Sequence, residues 1–161
     1  GYQFPCQYGD KDYFALIVFN AMFGEFAHSA LFTTLREKEG LAYSISSQFD
    51  IFTGLLEVYA GIEKSNRNQA MRGISRELNY IKLGRFSSSL LNQTKKIIRM
   101  NALLSEDHAL TLVEQRFNEV IFGDKSLSLE NWIDEIEKIT KKDVCSVARQ
   151  VKSLFFLEGV S

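Results

Sequence analysis

Apolar residues recur along the chain with two different periods, and the change of period marks the elements. Residues 43–50 alternate: Tyr43, Ile45, Ser47 and Phe49 on one face, Ser44, Ser46, Gln48 and Asp50 on the other. That pattern predicts a half-buried strand. Thr53-Gly54 turns the chain, and Leu56, Val58, Ala60 and Ile62 then alternate with Leu55, Glu57, Tyr59 and Gly61. The two segments predict an antiparallel hairpin. Before it, Tyr2-Gln3-Phe4 reads as a short strand stopped by Pro5. Asp10 offers an N-cap for a helix over Tyr13 to Phe23, apolar nearly all round, with Gly24 as its terminator. A second helix runs from Ser29 to Lys38, carrying Leu31, Phe32 and Leu35, with Gly40 as the residue past its end.

After the hairpin the spacing is helical. Met71, Ile74, Leu78 and Ile81 form one stripe, capped by Ser65 or Asn66 and closed by Gly84. Leu91, Thr94, Ile98 and Ala102 form the next, capped by Ser87 or Ser88. Asp107 opens a third with Leu110, Val113, Phe117 and Val120, and Ser128 a short helix with Trp132, Ile133 and Ile136. Thr140-Lys141-Lys142-Asp143 reads as a capping box ahead of Val144, Val147, Ala148 and Val151. The run Leu154-Phe155-Phe156-Leu157 reads as a buried closing strand. Strands and helices are segregated. The expected class is therefore α+β, a largely antiparallel four-stranded sheet covered by helices, in a single domain over residues 1–161. The chain opens on Gly1 rather than Met, in what reads as mid-domain sequence, so it is expected to be a fragment of a longer multidomain chain.

Composition removes several function classes. Nineteen basic and 20 acidic residues leave a net charge of −1, giving no electrostatic reason to expect nucleic acid or an anionic membrane as partner. No run approaches the ~20 apolar residues of a membrane span. Two distant cysteines, Cys6 and Cys145, exclude a disulfide framework and read as small core residues with free thiols. The unpaired thiols and the lack of a signal segment give cytoplasm as the expected location.

The sequence offers little local support for most site chemistries. His28 and His108 lack a partner at helical spacing, since Gly24, Phe32, Leu104 and Leu112 occupy the positions four away. His28 reads as a turn residue and His108 as a helix-start surface residue, so no metal site is expected in this chain. No nucleophile elbow or phosphate-binding glycine loop occurs. The basic groups Arg67, Lys95-Lys96 and Lys141-Lys142 read as solvated helix faces. One segment differs, Leu35-Arg36-Glu37-Lys38-Glu39-Gly40-Leu41-Ala42-Tyr43-Ser44-Ile45, which crosses from helix through glycine into strand. On physics alone, Arg36 is a surface cation paired with a carboxylate such as Glu39. Tyr43 is then a core aromatic with its hydroxyl at the edge.

This segment, with Ser29-Ala30-Leu31-Phe32 before it, resembles the Leu-Arg-Glu-Lys-x-Gly-Leu-x-Tyr stretch of the pitrilysin/insulysin-type zinc metallopeptidases, a family that includes bacterial "zinc protease" homologues. The resemblance extends to Asp12-Tyr13-Phe14-Ala15-Leu16, to the Thr53-Gly54 hairpin and to Ile136-x-x-Ile139-Thr140-x-x-Asp143-Val144. It implies repeated α+β units, with zinc held by an inverted His-x-x-Glu-His motif in the first. This chain has no such motif, so it resembles the second, non-zinc unit. The resemblance then implies that Arg36 and Tyr43, seven residues apart, bind peptide. Tyr43 would act catalytically by donating to the oxyanion in the intact enzyme only, and Arg36 would grip a neighbouring carbonyl. Zinc would belong to a partner domain or paralogous subunit, and this chain alone would hydrolyse nothing. The Gly24-Glu25-Phe26-Ala27-His28 stretch resembles a bacterial branch that includes members without a complete zinc motif. The alternative it implies is a non-catalytic homologue serving as scaffold, peptide-binding or regulatory subunit.

Overall fold

The computed structural model describes residues 1–5, 11–106 and 128–153. Four antiparallel strands form one sheet in the order β2-β3-β1-β4. They are β1 (Tyr2–Gln3), β2 (Ser44–Asp50), β3 (Leu55–Gly61) and β4 (Lys152–Ser153). The hairpin pairs Ser44 with Gly61 and Asp50 with Leu55, and β1 lies between β3 and β4. Gly54, at φ 67°, closes the turn in a conformation that glycine adopts without steric cost.

The helices cover one face of this sheet. Helix α1 (Lys11–Asn20) continues into a π-helical turn, Ala21–Glu25. Phe14, Leu16, Val18, Phe19, Met22 and Phe23 are all buried, as an all-round apolar helix requires. Phe19 and Phe23 stack with ring centroids 5.4 Å apart. Gly24 does not end this helix. It sits buried within the π turn, where a Cβ would fall 2.6 Å from Ser47 Oγ and 2.9 Å from Ser47 N. The glycine is there because helix and strand touch at that point, not because the chain turns. Beside it Asn20 is buried, accepting from Ser47 Oγ at 2.7 Å and donating to Glu25 at 2.9 Å.

Most of the remaining expectations hold. Helix α2 (Arg67–Lys82) follows a 3₁₀ turn, Lys64–Asn66, and is closed by Gly84, whose φ is 71°, but Asn66 at its N-cap makes no side-chain capping bond. Helix α3 (Ser88–Glu106) is capped by Ser87, whose Oγ accepts from Leu90 N–H at 3.0 Å. Helix α4 (Leu129–Glu137) has Ser128 as its cap, and α5 (Lys141–Gln150) opens on the complete Thr140–Asp143 capping box. Cys145 is buried with a free thiol. Lys95 and Lys141 are more than solvated charges. Each donates to a backbone carbonyl across the fold, Lys95 to Glu137 at 3.0 Å and Lys141 to Phe86 at 2.7 Å. Asp10, Cys6, His108, the helix expected from Asp107 and the run Leu154–Leu157 lie outside the described residues. Strand β4 begins two residues before that run. No helix among the described residues is long and apolar enough to cross a membrane.

Candidate functional site

The segment from Leu31 to Tyr43 is built around two leucines. Leu31 and Leu35, four apart on one helix face, are completely buried. Leu35 seats against Gly73 of α2, where a Cβ would approach its side chain to 3.2 Å. The helix carrying them is π-helical over Phe32–Lys38, with Glu39 N–H donating to Thr34 O at 2.9 Å. Gly40 then adopts φ 61°, and Leu41 and Ala42 both donate back to Leu35 O, at 2.8 and 3.3 Å. This αL closure satisfies the carbonyls at the helix end and turns the chain directly into β2.

Arg36 and Tyr43 stand at the two ends of that turn. Arg36 is exposed on the outer side of the π segment, its guanidinium 4.6 Å from the centroid of the Phe32 ring. That cation–π contact holds the head group without consuming its donors. Among the described residues Arg36 makes no ion pair. Glu39 pairs instead with Arg76 of α2, and Arg76 also contacts Glu77 at 3.3 Å. The pairing of Arg36 with Glu39 is thus replaced by a link between helices. It was not legible in spacing because Arg76 is 37 residues away in sequence.

Tyr43 is not a core aromatic. It is 70% exposed, and among the described residues its hydroxyl has no hydrogen-bond partner. Its backbone N–H donates to Gly61 O at 2.9 Å, one residue before β2 begins. A bend at Tyr43 breaks the alternation that would have carried its side chain inward with Ile45 and Ser47. The result is a guanidinium and a phenol on one continuous helix–turn–strand unit, both presented to solvent with donors unused.

The sheet face beside them is polar. Ser44, Ser46, Gln48 and Tyr59 are exposed, and Tyr59 donates to Glu57 at 2.9 Å. His28 is committed elsewhere. Thr94 Oγ1 donates to Leu90 O at 2.8 Å, so the Nε2–H of His28 must be the donor in its 2.8 Å contact with that oxygen. Burial holds the His28 pKa below its usual value. Among the described residues no group of three or more His, Cys, Asp or Glu side chains comes together to hold a metal ion. These residues do not fit a zinc centre.

Comparison with known proteins places the chain. The family model described as "Peptidase M16 inactive domain" matches residues 1–98. "Probable inactive metalloprotease YmfF" of Bacillus subtilis is 37% identical over 161 residues, covering 99% of this chain and 38% of that protein. "Uncharacterized zinc protease YmxG" of the same organism is 28% identical, covering 89% of this chain and 36% of its own length. The crystal structure of a conserved protein from Enterococcus faecalis V583 superposes with a TM-score of 0.90 at 40% identity, over 94% of this chain and 36% of that one. The chain therefore spans little more than a third of the relatives it matches.

Proposed function

The chain belongs to the family of M16 peptidase inactive domains, and from that premise we propose that it is the substrate-gripping half of a pitrilysin-like peptidase chamber. Arg36 donates to a backbone carbonyl of a bound peptide and fixes its register. Tyr43 donates to the neighbouring carbonyl oxygen, where negative charge would build during attack. Hydrolysis itself would be supplied by a zinc-bearing domain outside this chain. The observation that carries the reading is the pair of exposed, unspent donors, Arg36 and Tyr43, joined by the tightly closed turn at Gly40.

The test is Tyr43→Phe in the full-length protein, assayed with a fluorescein-labelled digest of casein. If the protein hydrolyses peptide, turnover should fall by about 10²–10³-fold, the usual cost of one oxyanion donor, with zinc content unchanged. Unchanged turnover removes Tyr43 from the mechanism. A second reading is favoured by the name of the 37%-identical relative, a probable inactive metalloprotease. On that reading the parent binds peptide through the same two residues without cleaving it. Tyr43→Phe would then weaken binding roughly 2- to 10-fold, the worth of one neutral hydrogen bond, and no hydrolysis would be found in either protein.

A further inference from the structure

We infer that Gly61 is a positioning residue for Tyr43: its missing side chain is the seat on which the phenol ring lies. This rests on the reading of Tyr43 as a peptide contact, and it names what holds that contact in place. A Cβ built on Gly61 would overlap the ring edge at Tyr43 Cε2 and stand 2.7 Å from Cζ and 2.5 Å from Ser44 Oγ. Real Cβ atoms do not approach that closely, so alanine here would displace the ring. Gly61 is not needed for backbone freedom, since its φ lies outside the left-handed region. Space is the only property it supplies.

The register says which side of the sheet the ring occupies. Ser44 and Gly61 are directly paired across β2 and β3, so their side-chain positions share a face. Ser44 is exposed, which makes this the polar face, one that no described helix covers. The ring of Tyr43 meets the same hypothetical Cβ that meets Ser44 Oγ, so it lies on that face too. Tyr43 thus meets position 61 twice, through a backbone bond to its carbonyl that any residue there would accept and through the bare Cα against the ring, which only glycine leaves open. An aromatic side chain covering a cross-strand glycine is a favourable packing arrangement.

The experiment uses the full-length protein labelled with 3-fluorotyrosine, the Tyr43 signal being identified by its loss in Tyr43→Phe. In Gly61→Ala that ¹⁹F resonance should move toward the position of a free tyrosine. Affinity for the labelled casein digest should fall by about as much as in Tyr43→Phe, roughly 2- to 10-fold. In a Tyr43→Ala background Gly61→Ala should cost no further affinity, because the two act through one ring. A Tyr43 resonance unmoved by Gly61→Ala, or affinity losses that add, overturns the inference. Should Gly61→Ala fail to fold, the wild-type protein decides. The Gly61 Hα signal should be displaced by the ring current and return toward its ordinary position in Tyr43→Leu, and an Hα indifferent to that change overturns the seat. If the ring moves as expected but Tyr43→Phe binds peptide normally, the seat stands and the peptide reading falls.

Discussion

At the scale of single residues, glycine carries two different meanings in this chain, and only one was legible in sequence. Gly40, Gly54 and Gly84 have positive φ and sit where an element ends, which the pattern of a periodic run followed by glycine predicts. Gly24 and Gly61 mark close approach instead, and the neighbours that require them are 23 and 18 residues away, at Ser47 and Tyr43. Gly24→Ala separates the two meanings. At an exposed helix position the change stabilises by up to about 1 kcal/mol. Here the new methyl meets the Ser47 side chain and its backbone nitrogen, so overpacking wins and the expected cost is about 1–3 kcal/mol by urea unfolding. Ser47→Ala should not rescue it, because Ser47 Cβ and N remain at 2.8 and 2.9 Å. A neutral or stabilised Gly24→Ala protein would refute the contact. Glu77 makes a pH-dependent prediction. It is buried, and desolvation raises its pKa against the opposing bond from Arg76. The folded state therefore holds the proton more tightly than the unfolded chain, and stability falls as pH rises above the ordinary carboxylate range. Glu77→Gln should lose that dependence. Thermal melts of the two proteins should converge at acidic pH and separate toward neutrality, with the variant the more stable.

At the scale of elements, what was legible depended on whether the cause was local. The capping box of α5 lies within four residues, and it formed as expected, Thr140 accepting from Asp143 N–H and Asp143 accepting from Thr140 N–H. Thr140→Ala should cost about 1 kcal/mol. For a domain of this size that lowers Tm by about 2–4 °C, and calorimetry would measure it. A Tm shift near zero would mean that α5 is held by its buried face alone. That face is substantial, since Val144, Val147, Ala148 and Val151 are all buried. The hairpin register was equally readable, because period-two alternation and the Gly54 turn agree on it. The π-helical stretches were not readable. Widening of the hydrogen-bond ladder at Ala21–Glu25 and Phe32–Lys38 leaves the apolar spacing close to helical. Such widening often accompanies functional sites, and here the second stretch carries Arg36. The position of Tyr43 was lost for a related reason. Alternation assigns it to the inner face, and only the bend ahead of β2 turns it outward.

At the scale of the whole molecule, the described helices leave one face of the sheet bare, and Tyr43 belongs to that face. Two structural halves facing each other across such surfaces would form a chamber, the arrangement in which ligands are most often held between domains. On the proposed reading this chain would contribute donors to that chamber and, among its described residues, no cluster of metal ligands. Peptide grip and hydrolysis should therefore be separable in the full-length protein. If it hydrolyses the casein digest, treatment with a zinc chelator should abolish hydrolysis. The affinity difference between wild type and Tyr43→Phe should persist, because the hydrogen bond that Tyr43 donates does not depend on the ion. Fluorescence anisotropy with the labelled digest, before and after chelation, measures both proteins under both conditions. Persistence of the difference assigns to Tyr43 a part in binding that is independent of the metal. Its disappearance on chelation would mean that the peptide is positioned by the metal-bearing domain, with Tyr43 following the substrate rather than fixing it.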